Sequence, residues 1–286
     1  MVLVTLLWSI AGVVTRQLEV ARSFEVTFWR SFFTLLSLLV LLPLVRGRAL
    51  GQALRRGGVA LWLSGLCWSV MFTAFMVALT LTSVAQVLVT MALGPLFTAL
   101  LARWWMGQQI ALRTWMAIVV AGVGLVAMFA ADLGGAGTAM GSLVGLGVPV
   151  ASAVNWTLVQ RAQRNGPVDL LPAVMIGAAV SAAATLPLAW PLHATPHDIA
   201  LLALLGLVQL AIPCCLAVAC ASVLKAPEVA LLALLEVVLG IAWAWLLAGE
   251  QPGVAVLAGG TLVLGALVAN EWLGWRSSNG NSLQQR

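Results

Sequence analysis

The sequence predicts an all-α polytopic membrane protein, with ten transmembrane helices arranged as two inverted five-helix repeats around a central cavity. Three observations carry this expectation. Hydrophobic residues make up 62% of the chain and charged residues 8%, with a mean hydropathy of +1.07; a soluble domain carries roughly 25% charged residues. Charge is missing over long distances: no Lys, Arg, Asp or Glu occurs between Val59 and Leu101. In hydrocarbon every backbone polar group must be bonded internally, so apolar runs of about 20 residues read as spanning helices. Finally, short motifs recur about half a chain apart.

The apolar segments fall at 1–16, 24–45, 59–80, 83–105, 112–131, 139–161, 168–190, 198–222, 227–249 and 253–275. Segment 1 is short for a hydrocarbon core of about 30 Å; no basic n-region or small-residue cleavage site marks it as a cleavable signal. Segment 2 ends in Leu42-Pro43-Leu44. Segment 3 carries an aromatic stripe. Segments 4 and 8 contain Pro95 and Pro213, each of which interrupts a helix and frees backbone groups. Segment 6 holds several polar residues and segment 9 a lone acid. Segments 5 and 10 are glycine-bearing (Gly122, Gly124; Gly259, Gly260, Gly265) and low in polar content, the pattern of packing helices or of a homodimer contact. Residues 1–135 then form the first repeat, 136–276 the second, and the polar 277–286 a disordered tail.

Basic residues orient the chain. Arg46, Arg48, Arg55, Arg56, Arg103, Arg113, Arg161, Arg164, Lys225, Arg276 and Arg286 fall on one side if the helices alternate. The other side receives Arg16 and Arg22 with Glu19, Asp132, Asp198 and Glu250. Eleven against two places both termini on the cytoplasmic side. It also makes the net charge of +5 topogenic rather than a nucleic-acid footprint. Arg30, inside segment 2, reads as snorkelling to the periplasmic interface.

The repeat rests on three echoes. Gly107-Gln108-Gln109 matches Gly249-Glu250-Gln251, Leu42-Pro43-Leu44 matches Leu186-Pro187-Leu188, and Trp8 with Arg16 matches Trp156 with Arg164. The offsets run from 142 to 148 positions, so each half holds five segments. Five is odd, which inverts the second half relative to the first. Inverted repeats mark alternating-access carriers that bind substrate near the midplane.

Longer stretches carry a family resemblance: Leu7-Trp8-Ser9 with Arg16, then Thr27-Phe28-Trp29-Arg30; the run Ala92–Leu101 with Gly94-Pro95; and Leu235-Glu236-Val237-Val238 with Gly249-Glu250. In order and duplication they resemble the EamA-type repeats of the drug/metabolite transporter superfamily. In length and tryptophan content the chain is similar to that superfamily's aromatic amino-acid exporters. The resemblance implies that segments 1, 3, 4, 6, 8 and 9 line the cavity and that the chain exports amino acids or related metabolites. Two positions depart from the pattern: Val237 stands where a proline is usual, which argues against a kink in segment 9, and Gln108 stands where an acid is usual.

The residues themselves point to a solute site. Glu236 lies about ten residues into segment 9, where a charged carboxylate costs several kcal/mol, so it faces a cavity or a partner or is protonated. Proton coupling, recognition of a substrate ammonium and a hydrogen bond used for packing all fit. Glu228, nearer the surface and Lys225, reads as an interfacial ion pair. Trp68, Phe72 and Phe75 share one face of segment 3, a stripe that fits lipid, core or ligand. Gln86 and Thr90 on segment 4, Ser152, Asn155 and Trp156 on segment 6 and Gln209 on segment 8 also require surroundings other than lipid. Trp8 faces a helix side that Gly12 opens to close approach. Aromatic walls with a few amides suit an amphipathic organic solute: an amino acid, or alternatively a hydrophobic cation or another small metabolite.

Other classes find no support. An intramembrane hydrolase requires Ser–His or paired acids within helices, yet His193 and His197 lie in an expected loop. No ring of charges or repeated filter suggests a channel. Cys67, Cys214, Cys215 and Cys220 lack paired metal-site spacing and read as small packing residues. No cofactor or metal is expected.

Overall fold

A computed structural model describes residues 1–47, 49–107, 109–131, 136–164, 169–221 and 226–284, and every regular element among them is helical. Arg48, Gln108, Asp132, Lys225 and Arg286 lie outside the described residues, as do the side chains of Arg56, Arg164, Cys220 and Glu228.

The helices follow the apolar segments in order: α1 (Val2–Ser9), α2 (Ala11–Thr15), α3 (Ser23–Arg46), α4 (Ala49–Arg56), α5 (Gly58–Leu81), α6 (Val84–Met91), α7 (Gly94–Met106) and α8 (Leu112–Ala131) come first. Then come α9 (Ala136–Gly145), α10 (Gly147–Arg164), α11 (Pro172–Ala189), α12 (Pro196–Leu204), α13 (Ile212–Ala221), α14 (Ala226–Ala248) and α15 (Val254–Gln284). Seven spans among the described residues are long and apolar enough to cross a membrane, and shorter apolar helices cover Val2–Thr15, Leu112–Ala127 and Leu235–Ala248.

Four passes are interrupted. The first breaks at Ile10, between α1 and α2. Another breaks at Ala92–Leu93, just before Gly94-Pro95, and a third at Leu146 between α9 and α10. Between α12 and α13 the chain widens into a π-helical stretch, Leu205–Ala211. Pro213 follows it; a proline cannot donate back into the preceding turn, and π-helical turns concentrate at functional sites. α14, with Val237 in place of proline, runs unbroken.

Turn chemistry ends the helices where the sequence allows. Ser83 caps α6 through the Gln86 N–H, and Thr195 caps α12 through the Asp198 N–H. Gly107 and Gly249, the echoed glycines, both take φ +65° directly after α7 and α14, a left-handed turn that glycine adopts without strain.

Small residues set the closest packing. A Cβ on Gly177 of α11 would lie 3.0 Å from the Gly65 carbonyl oxygen and overlap Trp68 on α5. One on Gly124 of α8 would lie 2.7 Å from the Gly259 carbonyl of α15. Helices approach this closely in membranes where side chains are absent. α8 and α15 thus pair with each other. The buried core centres on Met76, Leu79, Leu88 and Leu202. Exposed Leu39, Val40, Leu44, Trp104 and Leu246 give the bundle an apolar exterior, as lipid contact demands.

Two elements differ from expectation. The tail expected to be disordered continues α15 as helix through Gln284; extending a formed helix costs far less than nucleating one. The short amphipathic α4 occupies what reads in sequence as a charged loop, with Leu50 and Leu54 on one side and Arg55 on another.

Candidate functional site

The passes converge on a guanidinium. Arg30 of α3 is 2% exposed, held in the interior rather than snorkelling outward as expected. Its Nε (3.2 Å) and Nη2 (2.8 Å) both donate to Oε1 of Gln209, in the π-helical stretch. Gln209 donates through Nε2 to the Trp8 carbonyl at 3.3 Å, which fixes its oxygen towards Arg30. The rings of Phe72 and Phe75 on α5 flank the guanidinium, each with its centroid 5.8 Å away, within cation–π range. Trp68 packs on Phe72 at 5.5 Å. Glu236 of α14 is 9% exposed and interacts electrostatically with Arg30. The cluster therefore draws on α1, α3, α5, the π-helical stretch and α14.

The other expected site residues divide. Gln86 is buried and donates to Ser142 Oγ at 2.8 Å. Asn155 is buried and accepts from Ser64 Oγ at 2.6 Å. Both amides thus join α6 to α9 and α10 to α5. Thr90 is fully buried with an unpartnered hydroxyl. Ser152 sits beside the break before α7, its Oγ 3.7 Å from where a Gly94 Cβ would be. Trp8 is half-buried, and α2 lies so close to α6 that a Cβ on Gly12 would overlap Val84. Trp156 stands apart from the Arg30 cluster, 51% exposed on α10.

Sequence reading missed Arg30 as a site residue, because an arginine seven positions inside a helix end fits snorkelling equally well. The available signal was Gln209, a buried amide in need of a partner. It also missed Trp243, whose indole N–H donates to Ser9 Oγ at 3.1 Å and ties α14 to α1.

One end of the bundle is laced shut. Arg16 donates to the carbonyls of Leu79 (2.7 Å) and Thr82 (2.6 Å) and pairs with Glu250 at 3.0 Å. Glu250 accepts the Val84 N–H at 2.6 Å, holding the start of α6. The Asp198 carboxylate, fully buried, accepts the N–H groups of Glu19, Val20 and Ala21 at 2.8, 3.0 and 2.9 Å. Glu25 accepts those of His193 and Ala194, both at 2.7 Å. Charge-assisted bonds of this kind are about twice as strong as neutral ones. At the opposite, basic end the described ties are sparser: Arg46 with Asp169 at 3.4 Å, and Arg161 over Trp105. A groove of about 670 Å³ opens there between α7, α8 and α10, lined by Phe97, Leu101, Trp104 and Trp115. Its lining is mainly apolar, with Arg103 among it, and it is separate from the Arg30 cluster.

Interrupted passes around a buried charged residue are an arrangement shared with transporters built on discontinuous helices. The EamA-like transporter family, of the drug/metabolite transporter type, matches residues 1–130 and 139–270, and the chain belongs to it. No curated protein matches. Eleven solved chains do. One, described only as "Crystal structure of protein", superposes with a TM-score of 0.63 at 18% identity, over 94% of this chain and 95% of its own. At that identity the likeness speaks for the fold alone.

Proposed function

We propose that this transporter exports aromatic and other neutral amino acids, and related metabolites, from the bacterial cytoplasm by alternating access. Its ten passes form two inverted five-helix repeats with both termini cytoplasmic. The observation that supports the substrate class is the interior cluster, where Phe72 and Phe75 flank Arg30, Trp68 packs on Phe72, Gln209 bonds the guanidinium and Glu236 is buried. Aromatic walls bind an apolar side chain, and ionisable groups are tolerated at this depth where they serve a solute. The excess of arginine at the end bearing Arg46, Arg103 and Arg161 supports a cytoplasmic assignment for that end. The matched φ of Gly107 and Gly249 supports their equivalence in the two repeats.

In this reading the Arg16–Glu250 and Asp198 contacts form the closed periplasmic gate. Export requires that they part while the basic end closes, so that the central site opens outward. Purified protein in liposomes, assayed with a panel of labelled amino acids with and without a proton gradient, tests the proposal. Uptake of tryptophan, phenylalanine and other neutral amino acids above protein-free liposomes is expected. Uptake of none of them overturns it.

A further inference from the structure

We infer that Arg30 is the carboxylate-binding residue of the transport site, opposed by Glu236 as the ammonium pole, so that the site recognises the zwitterionic end of an α-amino acid. This rests on the proposed amino-acid reading and deepens it.

Arg30 is buried and incompletely bonded. A guanidinium has five N–H donors in a planar fork. Nε and Nη2 share one neutral oxygen, that of Gln209, while Nη1 is buried with no hydrogen-bond partner. Among the described residues no carboxylate lies within ion-pair distance of Arg30. Burying a cation in this way is costly unless a counter-charge arrives. A guanidinium fork matches a carboxylate in two parallel N–H···O bonds, so a substrate carboxylate would satisfy Nη1, together with the second N–H of Nη2, once the passes part to admit it.

The surroundings supply the rest of an amino acid's complement. Glu236 influences Arg30 through space but lies beyond direct ion-pair contact, and no described group hydrogen-bonds its carboxylate. A residue spacing that keeps two opposite charges apart leaves each for an outside partner, the carboxylate for Arg30 and the ammonium for Glu236. Cys214 is the other titratable group near both, and it is a thiol rather than a competing charge. Trp68 and Phe72 offer the apolar wall. Gln209, locked by the Trp8 carbonyl, acts as a positioning residue that aims the guanidinium. A hydrophobic cation would meet Arg30 as a repelling charge, so the same arrangement selects against the alternative substrate class.

The test uses the full chain in liposomes and three probes with one ring system: tryptophan, tryptamine, which lacks the carboxylate, and indole-3-propionate, which lacks the ammonium. Wild type should exchange labelled tryptophan, and each single-pole analogue should compete at least tenfold less well. Arg30→Gln should bring the tryptophan-to-tryptamine ratio close to one while the protein stays monodisperse, and Arg30→Lys should restore part of it. Gln209→Met, which leaves the cation in place, should lower the ratio by a smaller factor. Tryptamine competing as well as tryptophan in the wild type overturns the inference whether or not any variant folds. So does an unchanged ratio in folded Arg30→Gln. Absence of any amino-acid exchange by the wild type instead defeats the amino-acid reading itself.

Discussion

Glu250→Gln should loosen the closed gate by a calculable amount. The carboxylate makes two contacts: Oε2 pairs with Arg16 Nε at 3.0 Å, and Oε1 accepts the Val84 N–H at 2.6 Å. The ion pair is partly solvated, with side chains 30% and 16% exposed, so it contributes only about 0.2–1 kcal/mol. The Val84 bond is charge-assisted, in the range of about 1.5–3 kcal/mol; a neutral Gln oxygen keeps roughly half of that. Arg16 retains its bonds to the Leu79 and Thr82 carbonyls. The net loss is about 1–2 kcal/mol, which raises the population open at this end by roughly 5- to 30-fold. A cysteine replacing Val87, buried one turn inside the gate, reports the opening in a background without the four native cysteines. An impermeant maleimide added from the periplasmic side should react 5- to 30-fold faster after Glu250→Gln. An unchanged rate in folded protein would refute the gate.

Gly177→Ala should destabilise the bundle, because its Cβ meets only unyielding atoms: Trp68 Cβ, the Gly65 carbonyl oxygen at 3.0 Å and the Ser69 nitrogen at 3.1 Å. Overpacking of this kind costs about 1–3 kcal/mol, read as a lower melting temperature in detergent, whereas Gly122→Ala, with nothing within 4 Å, should leave it unchanged. Phe72→Leu keeps an apolar side chain but removes the ring that packs on Trp68 and faces Arg30; apparent substrate affinity should fall about fivefold, on the order of 1 kcal/mol, in concentration-dependent uptake. For orientation, single cysteines near Arg55 and Arg161 should label only from the cytoplasm and those near His197 only from the periplasm, and the reverse pattern would overturn the assignment.

Much of the fold is legible because hydrocarbon imposes one rule on long apolar runs. The span 24–45 is realised as Ser23–Arg46 and 59–80 as Gly58–Leu81. Breaks announced by proline were readable too: Pro95 follows one interruption and Pro213 the π-helical stretch. The break at Leu146 carries a signal of the same kind, with Gly145 and Gly147 beside it and Pro149 three residues on, unable to donate to the Gly145 carbonyl; the break at Ile10 has no proline near it. The site was only half legible. Buried amides and acids announce a need for partners but not which ones. Gln86 donates to Ser142 and Asn155 accepts from Ser64, partners that neither amide's own neighbourhood in the sequence discloses. Arg30 and Gln209 lie 179 positions apart, so nothing local to either discloses their pairing.

Counterflow is the measurement that reaches the central claim most directly. Liposomes holding the protein are preloaded with unlabelled tryptophan and diluted into buffer containing a trace of labelled tryptophan, with no ion gradient. A carrier with one alternating site predicts a transient overshoot, in which label accumulates inside above its equilibrium level and then declines. Simple equilibration without overshoot would mean a channel-like path. No entry of label beyond that of protein-free liposomes would contradict the account of the central cluster as an amino-acid site.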